Sequence, residues 1–174
     1  MGYLVLDVET ASAQSAGYLC SVGCCVIEQG VITEEFYTLC NPGIVFDPFC
    51  VRIHGITEDM VLDAPDTEQV LTRLLPYLRA HTLVAHNAPF DAGQLRAAAA
   101  RVHMRLPRFQ IIDTVRLARK AFPGRPTYRL SAMAKMIGFS FTHHHALEDA
   151  RACAALFLAC RRALGQTDQL QFPV

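Results

Sequence analysis

No stretch of this sequence is apolar for long enough to cross a membrane, which excludes a helical transmembrane function. No Cys-x-x-Cys occurs among the seven cysteines, their number is odd and the chain is not small, so neither a disulfide framework nor a thiol redox motif is expected. Cys20, Cys24 and Cys25 lie close together but lack the second half of a zinc site. The cysteines are expected as reduced thiols packed as small apolar groups in strands. No secretory leader is expected, since Asp7 and Glu9 cut the first apolar run short and no basic segment precedes it. Met1-Gly2 does not begin a myristoylation signal, because Leu6 stands where Ser or Thr is needed. These absences point to a soluble, cytoplasmic protein. Repeats, low-complexity tracts and linkers are lacking as well. The 174 residues are expected to form a single domain, 1–174, with a motif-bearing core at 3–164 and a short C-terminal segment at 165–174.

Net charge is zero, yet the charges are not mixed evenly. Residues 1–95 hold twelve acids and three arginines, whereas 96–135 hold ten Lys or Arg and the single acid Asp113. Clustered acids suit a cation and a basic segment suits a phosphate backbone, although each arginine alone could be a solvated helical face.

The periodicity predicts strands at 3–9, 18–28 and 31–40, the last two joined by a hairpin turn at Gln29-Gly30. Residues 44–66 read as loop and short helix, with Thr57 as cap for Glu58-Asp59-Met60. A helix over 67–80, a short buried strand at 82–85 and a helix over 88–103 follow. An edge strand at 108–112 leads into a helix at 113–121, and helices cover 129–137 and 146–164. This order predicts an α/β layer fold with a mixed sheet. The first hairpins should be antiparallel and the later strands parallel to the first.

Asp7 and Glu9 are two residues apart in a predicted strand, so both side chains leave the same face. Two carboxylates so placed repel, and an apolar setting worsens it, unless the strand end is open to water or a cation neutralises them. Asp91 and Asp149 each fall in the first turn of a predicted helix, where an acid can simply complement the dipole. His86 and Asn87 are expected to tie down the loop that follows them. Three histidines, His143 to His145, precede the last helix, and an imidazole is the side chain best suited to take a proton near neutral pH. Acids with an imidazole nearby can form a metal-assisted hydrolase.

Four segments carry a family resemblance: Asp7-Val8-Glu9-Thr10, Ile53-His54-Gly55-Ile56-Thr57, Val84-Ala85-His86-Asn87-Ala88-Pro89-Phe90-Asp91, and His144-His145-Ala146-Leu147-Glu148-Asp149-Ala150. Together they resemble the motifs of the DEDDh (DnaQ-like) 3′→5′ exonucleases. That family includes the proofreading epsilon subunit of bacterial replicative DNA polymerase, ribonuclease T and oligoribonuclease. The resemblance runs from residue 3 to about 160. It implies a ribonuclease-H-like fold with a five-stranded mixed sheet flanked by helices. It also implies two Mg²⁺ or Mn²⁺ ions held by Asp7, Glu9, Asp91 and Asp149. His144, five residues before the last aspartate, would be the general base, Thr10 would seat the terminal nucleotide, and His54 would lie in a loop lining the cleft.

The implied activity is removal of nucleoside 5′-monophosphates from nucleic acid 3′ ends, with single-stranded or frayed DNA favoured. The partner beyond nucleic acid would be a polymerase or a repair complex. The alternatives are an exoribonuclease of the same family, a catalytically weak nucleic-acid-binding module on this fold, and a small-molecule phosphohydrolase. Arg116, Arg119, Lys120, Arg125 and Arg129 would guide the strand through its phosphates. Phe90 and Tyr128 are candidate stacking platforms, with core packing as the alternative reading. The sequence departs from the family pattern at Ser21, where many members carry glutamate, which bears on how the substrate end is held. Asp113 resembles a recurrent family position and is read as a helix cap.

Overall fold

The structure, a computed structural model, describes residues 2–166. Most of the expected C-terminal segment therefore lies outside the described residues. Five strands form one sheet: β1 (Gly2–Thr10), β2 (Leu19–Glu28), β3 (Val31–Leu39), β4 (His81–Ala85) and β5 (Ile111–Asp113), in the order β3-β2-β1-β4-β5. The β1/β2 and β2/β3 pairs are antiparallel, and β4 runs parallel to both β1 and β5. The β2/β3 turn contains only Gln29 and Gly30, both at positive φ, as the tight turn that suits strand twist demands.

Leu4, Val5 and Leu6 are fully buried because β1 is central and covered on both faces. One face packs Leu4, Leu6 and Val8 against α3 (Thr67–Ala80) and α4 (Ala88–Arg101) through Leu71, Leu74, Leu78 and Leu95. The other packs Val5, Cys25 and Ile27 against α5 (Thr114–Ala121), α6 (Leu130–Met136) and α7 (Ala146–Ala163), with Phe157 at its centre. The apolar alternation of β1 thus builds two cores. It also fixes the side on which Asp7 and Glu9 emerge, the one shared with Val5 and α7.

Several local expectations need correcting. Residues 44–66 hold two short helices, α1 (Pro48–His54) and α2 (Glu58–Val61). Asp47 starts the first by accepting from Phe49 N, with Pro48 in the first turn. Thr57 precedes α2 but its side chain makes no cap bond. The third helix is started instead by a capping box in which Asp66 and Gln69 bond reciprocally. The edge strand is shorter and later than expected, Ile111–Asp113. All seven cysteines are free and buried, but Cys50, Cys153 and Cys160 are in helices rather than strands. Among the described residues no helix is long and apolar enough to cross a membrane.

Candidate active site

Asp7 and Glu9 stand at the C-terminal end of β1, opposite Gly23 and Ser21 of β2. The first turn of α7 lies directly on Gly23. A Cβ built there would come within 2.2 Å of the Ala146 carbonyl carbon and the Leu147 nitrogen, both backbone atoms. Only the absence of a side chain at Gly23 lets the helix start so close to the sheet. Asp149, in that same first turn, is consequently buried. It is more than a dipole complement: its Oδ2 accepts from the backbone N–H of His145 at 3.0 Å, and its Oδ1 faces Nδ1 of His143 at 2.5 Å. Ligand oxygens of Asp7, Glu9 and Asp149 all lie within 4.8 Å of one another.

Gly23→Ala is therefore expected to push α7 off the sheet. It should destabilise the protein by about 1–3 kcal/mol, as overpacking does. It should also abolish any rise in melting temperature on adding Mn²⁺, which paired thermal melts with and without the ion will read.

Asp91 reaches the cluster from the other side. The β1/β4 pairing ends at Val5 and Val84, and α4 begins three residues after β4. Its first turn puts Asp91 Oδ1 3.3 Å from the backbone N–H of Val8, which donates to it. Asp91 stands beside the trio rather than within it. Burial comes first in raising the Asp7 pKa well above the usual carboxylate range, followed by the charges of Asp91, Asp149 and Glu9. Burial likewise lifts Asp91 to about 8 and Glu9 to about 7, the latter with help from Asp149. Among the described residues no Lys or Arg pairs with Asp7, Glu9 or Asp91. Carboxylates that are half-buried (Asp7, Glu9) or buried (Asp91, Asp149) and crowded together suit a hard divalent cation, so the donor set fits the metal that the motifs imply.

The three histidines separate into distinct environments. His143 touches Asp149, and its ring stacks on His144 with centroids 4.0 Å apart. His144, at φ 65°, lines the same cavity as Asp7, His86, His143 and Asp149. Burial, then the neighbouring His143, lowers its pKa, which favours the neutral, proton-accepting ring. His145 stacks instead on Tyr37 of β3. His86 is held at both ring nitrogens, by Thr114 Oγ1 and by the Tyr128 carbonyl, each at 2.9 Å, so it joins its own loop to the start of α5 and to the loop before α6. Asp113 caps α5 through Val115 N and also accepts from Asn87 N, whose residue is in the left-handed region.

Thr10, His54 and Phe90 meet in a groove of about 520 Å³ that begins at Glu9. The Ile56 N–H donates to Nδ1 of His54, so the proton sits on Nε2, which donates to the Thr10 carbonyl at 3.2 Å. Burial lowers the His54 pKa. Phe90 is 47% exposed at the mouth, contrary to a core role. Tyr128 is half-buried, packed against the second core yet lining the cavity that holds Asp7 and His144; its hydroxyl donates to the Phe122 carbonyl and Arg119 lies over its ring. Arg119, Arg125 and Arg129 line the cavity that holds Asp7 and His144, while Arg116 and Lys120 do not. The sequence reading gave no role to His143 or Gly23. A run of three histidines was visible but not which would face Asp149, and a glycine inside an apolar strand is the mark of a close backbone approach. Ser21, fully buried opposite Glu9, has a hydroxyl with no hydrogen-bond partner among the described residues.

Residues 4–157 match the RNase_T family profile, described as exonuclease. DNA polymerase III PolC-type of Caldanaerobacter subterraneus subsp. tengcongensis is 32% identical over 158 residues, 90% of this chain but 11% of that relative's length. Among solved structures, exonuclease X in complex with 5′ overhanging duplex DNA superposes with a TM-score of 0.77 and 28% identity, covering 94% of this chain and 93% of that one. Exonuclease I of E. coli in complex with a dA16 oligonucleotide shares the fold with a TM-score of 0.81 at 18% identity, covering 95% of this chain and 42% of that one.

Proposed function

Since the chain belongs to the exonuclease family that matches residues 4–157, we propose that it hydrolyses the 3′-terminal phosphodiester of nucleic acid and releases nucleoside 5′-monophosphates. The observation that carries this is the convergence of three carboxylates, Asp7, Glu9 and Asp149, without a Lys or Arg partner among the described residues, with Asp7 and Asp149 lining one cavity with His144. Asp7, Glu9, Asp91 and Asp149 would hold two Mg²⁺ or Mn²⁺ ions, which when bound supply positive charge for the phosphate oxygens and acidify water. The chain's own residues do the rest. His144 accepts the proton of the attacking water. Asp149 is fixed by the His145 N–H, and Asp91 by the Val8 N–H, so both carboxylates are aimed before substrate arrives. The groove at Thr10, His54 and Phe90 takes the terminal nucleotide, with Phe90 as a face on which its base stacks. Arg119, Arg125 and Arg129 meet the phosphates.

DNA is the favoured substrate, because exonuclease X, 28% identical to this chain and matched over 93% of its own length, is solved with duplex DNA. The PolC-type relative supports a polymerase as partner. Seven unpaired thiols support action in the cytoplasm. The test is a panel of end-labelled single- and double-stranded DNA and RNA, incubated with Mg²⁺ or with EDTA and the products sized. Mononucleotides should appear from the 3′ end with Mg²⁺ alone. Internal cuts, or turnover that persists in EDTA, would sink the reading.

A further inference from the structure

A second groove, of about 560 Å³, lies at the far end of α4, away from the carboxylates. Its rim carries Arg96, Arg105 and Arg108, and its floor is Met104, Leu106 and Phe109. No acid lines it, and between residues 92 and 112 the sequence contains none. Among the described residues none of these three guanidinium groups pairs with a carboxylate. Arg101, on the neighbouring face, differs: it is already engaged by the Ala16 carbonyl and Tyr18. The Arg96 guanidinium sits 5.3 Å from the centre of the Phe109 ring, an arrangement that presents a flat cationic surface. Three unpaired cations around an apolar, partly aromatic floor match a strand of nucleic acid, with phosphates on the rim and a base against the floor.

The groove is joined to the active site by one helix. Phe90, at the mouth of the nucleotide groove, and Gly93, Arg96 and Ala100 are all exposed along α4. A Cβ at Gly93 would meet nothing, so this lane is low and open. From Phe90 to Ala100 the helix rises about 15 Å, which a few nucleotides span. We propose that Arg96, Arg105 and Arg108 form a second contact for single-stranded nucleic acid, which grips the strand several nucleotides upstream of the end being cleaved. This rests on the exonuclease reading only for the direction of the strand.

Anisotropy of labelled oligonucleotides in EDTA, where hydrolysis is blocked, tests it on the full chain. The wild type should bind a 16-mer about tenfold more tightly than a 4-mer. Arg105→Ala/Arg108→Ala should lose that length dependence, and its salt slope should be shallower by about 1.4, at roughly 0.7 per phosphate contact for a single strand. Arg105→Lys/Arg108→Lys should recover most of the slope, and both variants should melt as the wild type does. A wild type without length dependence overturns the proposal. So does an alanine pair that keeps it, an outcome that would hand the groove to an acidic protein surface. Failure of the active-site reading shows separately: a wild type with intact length dependence that releases no mononucleotide with Mg²⁺ leaves the groove standing.

Discussion

Asp7→Asn is expected to slow hydrolysis by about 10³-fold or more and, at the same time, to raise the melting temperature of the cation-free protein. The two effects share one cause. Asp7 is the acid on which the others converge, because burial and the charges of Asp91, Asp149 and Glu9 all oppose its ionisation. Asparagine keeps the shape and removes the charge. The folded protein loses a repulsion that it otherwise relieves only by holding protons. The reaction loses a donor for the cation, whose charge stabilisation amounts to several kcal/mol, and each 1.36 kcal/mol is a factor of ten in rate. Initial rates on a labelled oligonucleotide and calorimetry in EDTA measure the two halves. A variant that turns over at the wild-type rate rules Asp7 out as a ligand. One that is inactive but markedly less stable would mean that Asp7 serves packing instead.

The same electrostatics set a pH dependence with a definite sign. Glu9 rises from an ordinary 4.5 to about 7 on folding, and Asp91 to about 8. Between the unfolded and folded values the native state holds protons that the unfolded chain has released, so stability falls as pH climbs through that window. For Glu9 alone the loss is on the order of 3 kcal/mol. The cation-free protein should therefore melt progressively lower from pH 5 to pH 8. Saturating Mn²⁺ should flatten the profile, since a cation replaces the protons and stabilises only the folded cluster. A melting temperature that stays level over this range without metal would show that the carboxylates are better solvated than their burial indicates.

How far these groups could be foreseen depends on the range of the interaction. The faces of β1 follow from alternation, so the emergence of Asp7 and Glu9 together was readable from spacing two. The order of strands and helices gave the mixed sheet, because hairpin turns and helical crossovers dictate antiparallel and parallel neighbours. Asp91 and Asp149 were different. Each looks locally like a dipole acid, and only motif resemblance joined them to the first pair. What turns them inward is long-range: the Val8 N–H left beyond the end of β4 for Asp91, and the bare backbone of Gly23 under α7 for Asp149. The arginines of 96–135 appeared as one basic segment. Folding sends Arg119, Arg125 and Arg129 to the active-site cavity and Arg96, Arg105 and Arg108 to the groove at the far end of α4, a split that charge counting along a chain cannot contain.

His144→Ala should reduce turnover by about 10²–10⁴-fold with cation binding intact, the usual span for a positioned general base. His143→Ala should cost far less, although His143 is the ring that touches Asp149. The difference comes from what each imidazole can do once the cluster is filled. His143 contacts Asp149, one of the carboxylates that would hold the cation, so its ring would compete with the ion for that residue. Among the described residues His144 pairs with no carboxylate; it faces the cavity, and burial followed by the charge of His143 lowers its pKa, which favours the neutral ring. Its backbone is held in the left-handed region, a conformation costly for a non-glycine residue. With Mn²⁺ saturating, the wild-type rate should fall on acidification below the histidine range, as His144 gains a proton. The His144→Ala variant should lose that limb of the profile, while His143→Ala keeps it. If instead the limb disappears with His143 and survives in His144→Ala, the proton is taken by the ring one residue earlier, and the spacing of five to Asp149 is not what selects the base.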